Sequence, residues 1–314
     1  MGSRKIVTFA ICTLNRANYV KSLVEQLSRQ IISQLRTAEF EIVVVDNGSK
    51  DHTATTINEL IFRFSNVNIS YLYEPFVGLS NARNAAISFS NADWIWFFDD
   101  EVILPDNWIC NLVELDLKGN FDFISVSIYS INKNELNLPF WYNINWEERI
   151  NGTESGILKR QIQITGASFG VKKSVFDYIG IFDPDFGLKG TRLSLGEERE
   201  LISRYTNSPY FNGCFYSDEL FVYQNLMEDK LNLKYRLERE FYGGVLTAEM
   251  SDSKSISNIF QNQSSRSDFF TFLINHYQWN LRSLIINLSL ISSFVLGYFF
   301  RKLIAKRTTS LNNS

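Results

Sequence analysis

The sequence predicts an α/β protein whose central sheet is mainly parallel and flanked by helices. Short β-branched or aromatic runs alternate, along the first hundred residues, with longer segments in which apolar residues recur at helical spacing. This alternation is typical of strand–helix–strand units with right-handed crossovers. Polar or acidic turns follow three of the runs, and open α/β folds bind their ligands at the carboxyl ends of such strands.

The predicted elements follow one another in a regular order up to residue 101. Strands are predicted at residues 6–11, 41–45, 67–73 and 94–98. Helices are predicted at 19–31, at 53–64 and from a start within 78–86, where Ser80 or Asn81 is the expected N-cap. The later pattern is less regular and predicts helices at 106–117, 173–179 and 197–205 and strands at 121–129 and 162–171.

Composition excludes several classes of protein. The chain has 314 residues and a net charge of −3, which argues against a general nucleic-acid binder. Its 3 cysteines are far apart and form no Cys-x-x-Cys pair, so a zinc site and a disulfide framework are not expected. An apolar strand begins at once, without a signal-peptide pattern, which predicts a cytoplasmic protein.

Three acidic residues follow the strand predicted at 94–98. Its bulky apolar residues indicate burial on both faces, and Asp99, Asp100 and Glu101 come directly after it. Clustered carboxylates at the end of a buried strand are costly unless a positive charge neutralises them. A divalent cation that carries a phosphate-bearing ligand would do so, because Mg²⁺ and Mn²⁺ prefer hard oxygen ligands. A solvated acidic turn is the alternative.

Five segments in order resemble the family 2 inverting glycosyltransferases, which have the GT-A fold, a Rossmann-like α/β architecture. They are TFAICTLNR (8–16), VVVDNGS (43–49), GLSNARN (78–84), FFDDE (97–101) and GIFDPDFG (180–187), the last continuing into GEEREL (196–201). Each motif is weak alone, but their common order and spacing make coincidence improbable. The resemblance implies transfer of a sugar from a nucleoside-diphosphate donor, most often a UDP-sugar, to a hydroxyl of a saccharide or lipid-linked acceptor.

The resemblance also implies which residues bind the donor. Asp46, at the end of the second strand, would hydrogen-bond the base or ribose. The nucleotide would also contact side chains at the exit of the first strand, namely Thr13, Asn15 and Arg16. Arg83 would hold the diphosphate or brace Asp99; a helix-surface salt bridge is the structural alternative.

By the same resemblance, Asp99 and Glu101 flank a metal ion, Mg²⁺ or Mn²⁺, with Asp100 between them at the nucleotide sugar. One of the two acts directly and the other through the ribose or a water. Glu101 stands where the family usually has Asp, so the charge is kept while the reach is longer. Gln224 stands where many relatives have a histidine ligand, and its carbonyl could bind a hard cation more weakly.

An inverting transfer needs a base to take the proton of the acceptor hydroxyl. The resemblance places it in the acidic pair Glu197 and Glu198, with Glu198 as the base and Glu197 supporting it or contacting the acceptor. An acidic pair that favours the dipole at a helix N-terminus is the structural alternative. Trp141 lies in an aromatic cluster that could stack on an acceptor sugar or belong to a core.

The C-terminal segment 284–300 carries no charge and is followed by Arg301, Lys302, Lys306 and Arg307. Its 17 residues are at the lower limit for a bilayer span, so an amphipathic or re-entrant helix held on anionic lipid fits better. A buried helix of a soluble dimer is the alternative. We therefore expect a cytoplasmic protein that associates peripherally with the inner face of the membrane through 284–307; homo-oligomerisation is left open.

The predicted domain organisation follows from these assignments. Residues 1–245 form a GT-A catalytic domain, with nucleotide-sugar binding in about 1–101 and the acceptor side in 102–245. Residues 246–280 form a linker and helix, 281–307 the membrane-associating helix and 308–314 a disordered tail. Two rival functions remain, a non-catalytic degenerate glycosyltransferase subunit and a sugar nucleotidyltransferase. The second should carry a glycine-rich basic loop after the first strand, and residues 13–17 do not form one.

Overall fold

The computed structural model describes residues 6–34, 39–115, 117, 119–131, 136–150, 154–158, 164–188, 196–250 and 283–311. The chain divides into two compact units. The first comprises Met1–Ile131, Glu148–Arg192 and Gly196–Asn225, and the second comprises Asn132–Glu147, Leu193–Leu195 and Leu226–Ser314.

The described strands of the first unit form one sheet. They are β1 (Ile6–Thr13), β2 (Glu39–Asp46), β3 (Asn68–Tyr73), β4 (Trp94–Asp99), β5 (Val102–Ile103), β6 (Phe123–Ser130), β7 (Gly156–Leu158), β8 (Ser168–Lys172) and β9 (Cys214–Gln224). Their order is β3-β2-β1-β4-β8-β6-β9-β5, and β7 pairs with β9 off this path. The β3-β2-β1-β4 half is parallel, whereas β8 is antiparallel to both of its neighbours. The predicted α/β fold is confirmed, and its sheet is mixed.

Helices flank the sheet in the first unit and dominate the described part of the second. Those of the first unit are α1 (Ala17–Gln34), α2 (Thr53–Arg63), α3 (Leu79–Phe89), α4 (Trp108–Glu114), α5 (Val175–Ile179) and α6 (Glu197–Thr206). Those of the second unit are α7 (Leu233–Met250) and α8 (Leu284–Leu311). Every strand and helix predicted up to residue 101 is present, with ends that differ by a few residues.

The sheet is buried on both faces, as the apolar sequence of β4 predicts. One face packs Phe9, Trp96 and Trp108 into a single cluster. The opposite face packs Ala10, Phe97 and Phe169 into another. Successive strand residues point to opposite faces, so an uninterrupted apolar strand serves both clusters at once.

Two elements differ from their predictions. Helix α3 begins at Leu79 after Gly78, so Ser80 and Asn81 lie within the helix and are not its N-cap. Their side chains are drawn to other partners: Ser80 Oγ donates to the Phe186 carbonyl at 2.7 Å and Asn81 Nδ2 to the Phe76 carbonyl at 3.1 Å. The strand predicted at 162–171 begins only at Ser168, because residues 165–168 form a turn closed by a hydrogen bond from Ser168 N to Thr165 O.

The second unit holds an aromatic cluster and the last two helices. Trp141, Tyr142 and Trp146 pack with Leu226 and Leu290. Helix α7 was not predicted; it extends through residues 246–250 of the predicted linker, whose residues 251–280 lie outside the described part of the chain. Helix α8 extends through residues 308–311, which the sequence assigned to a disordered tail. The domain boundaries stay predictions.

Candidate active site

The carboxyl ends of three neighbouring strands form the floor of the site. Strand β1 lies between β2 and β4, and its register pairs Thr13 with Asp46 and Cys12 with Asp99. Thr13, Asp46 and Asp99 therefore end adjacent strands at the same edge of the sheet. The connection after β1 leads to β2 on one side of β1, and the connection after β3 leads to β4 on its other side. Open α/β sheets bind ligands at this point, where the strand order reverses.

Arg16 neutralises two of the three acidic residues that follow β4. Asp100 and Glu101 are buried. Arg16 Nη1 lies 3.1 Å from Asp100 Oδ1 and 2.5 Å from Glu101 Oε2. Thr13 Oγ1 donates to Asp100 Oδ2 at 2.7 Å, and Gln224 Nε2 donates to Glu101 Oε1. The positive partner that the acidic cluster requires is thus present in the chain itself, on the first turn after β1.

Burial and the ion pairs have opposing effects on these groups. Burial raises the pKa of Asp100 to about 6, although Arg16 and Thr13 act to lower it. Burial works against the charge of Arg16, but the two carboxylates outweigh it and raise the pKa of the guanidinium above its ordinary value. Arg16 is therefore a permanent cation at this edge of the sheet.

Arg83 joins the end of β4 to helix α6. Its Nη1 lies 2.8 Å from Glu197 Oε1, its Nη2 lies 3.7 Å from Asp99 Oδ1, and Nη2 donates to the Gly166 carbonyl at 2.9 Å. The guanidinium also lies over three aromatic rings, those of Phe97, Phe169 and Phe182. Because Arg83 is only 2% exposed, this geometry corresponds to the predicted brace for Asp99.

The acidic pair predicted at residues 197–198 begins helix α6. Glu197 is buried, and its carboxylate is held by Arg83. Glu198 is half-buried, and burial, followed by the charge of Glu197, raises its pKa to about 8 while Arg83 acts to lower it. A carboxyl that titrates near neutrality is suited to receive a proton during turnover. The acceptor contact predicted for Glu197 stays a prediction.

Gly166 lies close to Arg83 and to the acidic pair of α6. A Cβ added there would lie 3.3 Å from Arg83 Nη2, 3.7 Å from Glu198 Cδ and 3.8 Å from Glu197 Oε1. The backbone of residue 166 can therefore accept the hydrogen bond from Arg83 while both carboxyl groups stay close to it. Of these contacts only the one with Arg83 Nη2 would be tighter than usual, so the glycine leaves room for that guanidinium.

Asp46 and Asn15 tie the loops after β1 and β2 together. Asp46 is buried and accepts hydrogen bonds from Ser49 N at 2.7 Å and from Tyr71 Oη at 2.8 Å. Asn15 has a left-handed backbone with φ of 56°, which Asn tolerates better than most residues. Its backbone N–H donates to Ser49 Oγ at 2.8 Å, and its Oδ1 accepts from Lys50 N at 2.7 Å.

Asn47 organises the neighbouring loop and was missed from the sequence. Its Nδ2 donates to the carbonyls of Glu74 and Phe76, at 3.2 and 2.9 Å, and its Oδ1 accepts from Gly78 N at 2.7 Å. These bonds fix the path from β3 into α3. The available signal was the Asp-Asn-Gly-Ser turn after β2, because Asn side chains often bond to nearby backbone groups in turns.

Gln224 and Trp141 are the remaining predicted site residues, and the metal-ligand role of Gln224 stays a prediction. Gln224 directs its amide nitrogen, not its oxygen, at Glu101, so this contact is a hydrogen bond that orients a carboxylate. Trp141 belongs to the second unit, where it is buried in the aromatic cluster, and its acceptor role stays a prediction. Among the residues that the structure describes, no three His, Cys, Asp or Glu side chains form a ready-made metal cage.

The fold and the site define the class of protein. The mixed α/β sheet, with its polar groups at the carboxyl edge, is the GT-A fold that the motifs imply. It is shared with the mannosyltransferase PcManGT from Pyrobaculum calidifontis (TM-score 0.58, 14% identity, covering 100% of this chain and 82% of that one). It is also shared with Staphylococcus aureus TarS 1-349 (TM-score 0.54, 15% identity, covering 94% and 81%).

The family follows from the sequence match. Residues 8–180 match the family described as Glycosyl transferase family 2, and the chain belongs to that family. Escherichia coli WfgD, a UDP-Glc:alpha-D-GlcNAc-diphosphoundecaprenol beta-1,3-glucosyltransferase, is 31% identical over 117 residues, 35% of this chain and 43% of WfgD. Chondroitin synthase of Pasteurella multocida is 30% identical over 131 residues, 41% of this chain and 12% of the synthase. Each match spans less than half of the relative's length.

Proposed function

We propose that the protein is an inverting glycosyltransferase that moves a sugar from a nucleoside-diphosphate sugar to a hydroxyl of a saccharide or lipid-linked acceptor. UDP-sugars are the first donors to test, because WfgD is named for UDP-Glc and TarS was solved with UDP-GlcNAc. PcManGT was solved with GDP-Man, so GDP-sugars belong in the same test. The setting would be cell-surface polysaccharide synthesis, for which the diphosphoundecaprenol acceptor in the name of WfgD is the support.

One observation carries the proposal. Arg83 contacts both Asp99, at the ligand-binding edge of the sheet, and Glu197, on the first turn of α6. The next residue of α6 is Glu198, whose pKa is raised to about 8 by burial and then by the charge of Glu197. A nucleotide-binding edge and a proton-accepting carboxyl are the two parts that an inverting sugar transfer needs.

The chain's own residues account for the proton. The ionised Glu198 carboxylate takes the proton of the acceptor hydroxyl as that oxygen attacks the anomeric carbon of the donor. The bond from the anomeric carbon to the diphosphate oxygen breaks in the same displacement, and the diphosphate leaves with the bonding pair. Glu197 is held in an ion pair by Arg83, and after burial its charge is the second cause of the raised pKa of Glu198.

The donor set at the end of β4 fits a hard divalent cation. Asp99 and Glu101 offer carboxylate oxygens, and the Asp99 side chain, at 37% exposure, is open to solvent. Those two residues would hold Mg²⁺ or Mn²⁺, and PcManGT was itself solved with Mn²⁺. When bound, the cation would neutralise charge on the departing diphosphate. Gln224 would act by orienting Glu101 through its hydrogen bond.

We place this activity on the cytoplasmic side of the membrane, with the protein peripherally associated. The apolar helix α8 and the lipid-linked acceptor named for WfgD support this location. Donor sugars are made in the cytoplasm, and a lipid-linked acceptor would be reached at the membrane surface.

The test combines donor binding and turnover on the full chain. Thermal shifts with a panel of UDP- and GDP-sugars, each with Mg²⁺, Mn²⁺ or EDTA, should reveal a stabilising donor by mass action. The released nucleoside diphosphate is then measured with and without saccharide acceptors. Glu198→Gln should keep the thermal shift and lose about 10²–10⁴-fold in turnover. Glu219→Gln, the same change at an exposed residue of β9, is the matched control.

Each failure has a distinct meaning. A wild-type chain that binds a donor but neither hydrolyses nor transfers it would support the non-catalytic alternative. Full turnover by Glu198→Gln would remove Glu198 as the base. The absence of any stabilising nucleotide sugar would contradict the proposed donor class.

A further inference from the structure

The two sides of helix α8 differ, and one of them is in backbone contact with α7. A Cβ added to Gly244 would clash with the Phe294 carbonyl oxygen, and one added to Gly297 would clash with the Phe241 carbonyl oxygen. Ser293 Oγ also donates to the Leu237 carbonyl at 2.8 Å. Small residues let helix backbones approach in this way, so this side of α8 is fully committed to α7.

The other side of α8 is an apolar stripe exposed to solvent. Its large side chains lie three, eight, three and four residues apart, with the exposed Ser292 in the widest interval, and Ile285 reaches 77% exposure. We call these residues the α8 stripe: Ile285, Leu288, Leu296, Phe299 and Leu303. No charged residue interrupts the helix from 284 to 300. An exposed surface of this length that is mostly apolar marks an interaction site.

The charge that follows the stripe indicates the partner. Arg301 and Lys302 come directly before Leu303, the last residue of the α8 stripe, and Lys306 and Arg307 come within two turns after it. Residues 301–314 include no Asp or Glu. An apolar helix face next to a run of basic residues is complementary to a bilayer that contains anionic lipid. A water-soluble protein partner would not require an apolar helix face that is followed only by basic residues.

Helix α7 indicates how α8 meets the bilayer. Residues 284–304 are long and apolar enough to cross a membrane by length and composition. However, α7 packs along α8 and carries Lys234 and Glu238, which are exposed. A spanning α8 would draw these charges toward hydrocarbon, at high cost. An α8 that lies flat, with α7 on its aqueous side, keeps them in water.

We propose that α8 lies in the plane of an anionic membrane surface, with the α8 stripe in the acyl-chain boundary and α7 toward the cytoplasm. The basic residues 301–307 contact lipid headgroups, and the glycine contacts with α7 fix which side of α8 faces the lipid. This docking does not depend on the proposed transfer reaction.

The test uses the full chain and vesicles of defined lipid. Co-sedimentation compares vesicles of phosphatidylcholine alone with vesicles of equal parts phosphatidylcholine and phosphatidylglycerol. We expect binding to the anionic vesicles, which Leu296→Glu/Phe299→Glu should weaken by about 100-fold. Lys306→Gln/Arg307→Gln should weaken it by roughly 25-fold, fivefold per charge, and only on the anionic vesicles. Phe62→Glu, at an 88% exposed residue of α2, is the matched control and should bind as the wild type does.

Several results would overturn the proposal. The wild-type chain could remain in the supernatant, or the stripe variant could bind unchanged. Wild-type dimers that dissociate in the stripe variant, measured by light scattering, would identify a second copy as the occupant. In cells, retention after alkaline carbonate extraction would indicate a spanning helix, whereas a docked helix should be released. Circular dichroism confirms that each variant is folded.

Discussion

Arg83 and Glu197 form an ion pair of 2.8 Å in the interior of the first unit, and the same guanidinium reaches Asp99. One buried cation therefore joins α3, the end of β4 and the first turn of α6. The guanidinium lies over three phenylalanine rings, and Arg83 is only 2% exposed. The contact links the side of the site expected to bind the donor to the carboxyl expected to take the proton.

Replacing Arg83 should be costly because it leaves Glu197 buried without a partner. We expect Arg83→Met to lower the free energy of unfolding by roughly 3–5 kcal/mol, measured by urea denaturation. Arg83→Met/Glu197→Gln, which removes both charges, should recover much of that loss. A double variant whose loss equals the sum of the two single losses would show that the pair is not coupled.

The pH dependence of turnover should follow Glu198. Its raised pKa means that the carboxyl is protonated, and unable to act as a base, at acidic pH; the active ionised form appears as the pH rises through about 8. We therefore expect kcat/KM for transfer to increase from about pH 6 toward pH 9 and then level off. Glu219→Gln should give the same profile. A rate that does not change over this range would contradict the assignment.

The first half of the fold was predictable because its signals are local. Strands β1–β4 are apolar runs ended by polar turns, and the sheet places them side by side in the order β3-β2-β1-β4. The later elements depend on distant partners. The position of strand β9 in the sheet depends on its pairing with β6, which lies about ninety residues earlier. A local hydrophobic pattern cannot predict a pairing between such distant segments.

In the candidate site, too, local signals were predictable and contacts between distant residues were not. The acidic cluster indicated that a cation was needed, but the sequence alone did not show that Arg16 would supply it, because the contact joins residues more than eighty positions apart. Arg83 was recognised through its motif, with two roles left open. Its burial among aromatic rings, which excludes a salt bridge on the helix surface, arises from contacts with Phe169 of β8 and with Phe182. Its contact with the diphosphate stays a prediction.

Removal of Arg16 should make the site depend on metal. Without its guanidinium, Asp100 and Glu101 keep their burial and lose their ion pairs, so Arg16→Gln should melt at a lower temperature in EDTA. Mg²⁺ or Mn²⁺ should then stabilise the variant more than the wild type, measured as the difference in Tm with and without metal. Arg29→Gln, which breaks an exposed pair with Glu25, is the control. Equal metal shifts in both proteins would show that the cation and Arg16 do not share these carboxylates.

In the second unit, acid should release the pair formed by Glu147 and Arg236. Arg236 lies 2.5 Å from Glu147 and 4.3 Å from the centroid of the Trp146 ring. Burial disfavours the charge of Glu147, but Lys230 and Arg236 outweigh it and lower its pKa from 4.5 to about 2. A lowered pKa stabilises the fold above the unfolded value of 4.5, and this contribution is lost as the pH falls toward 2.

The lowered pKa of Glu147 corresponds to roughly 3 kcal/mol of stability at neutral pH. The free energy of unfolding should therefore fall more steeply between about pH 4.5 and pH 2 in the wild type than in Glu147→Gln, which has no carboxyl to titrate. The free energies of unfolding of the two proteins should differ most near neutral pH and should become similar at acidic pH. Glu219→Gln, at an exposed carboxylate, should follow the wild type. If the free energies of unfolding of the wild type and Glu147→Gln differed by the same amount at all pH values, the variant would have lost packing around Arg236 and not a charge interaction.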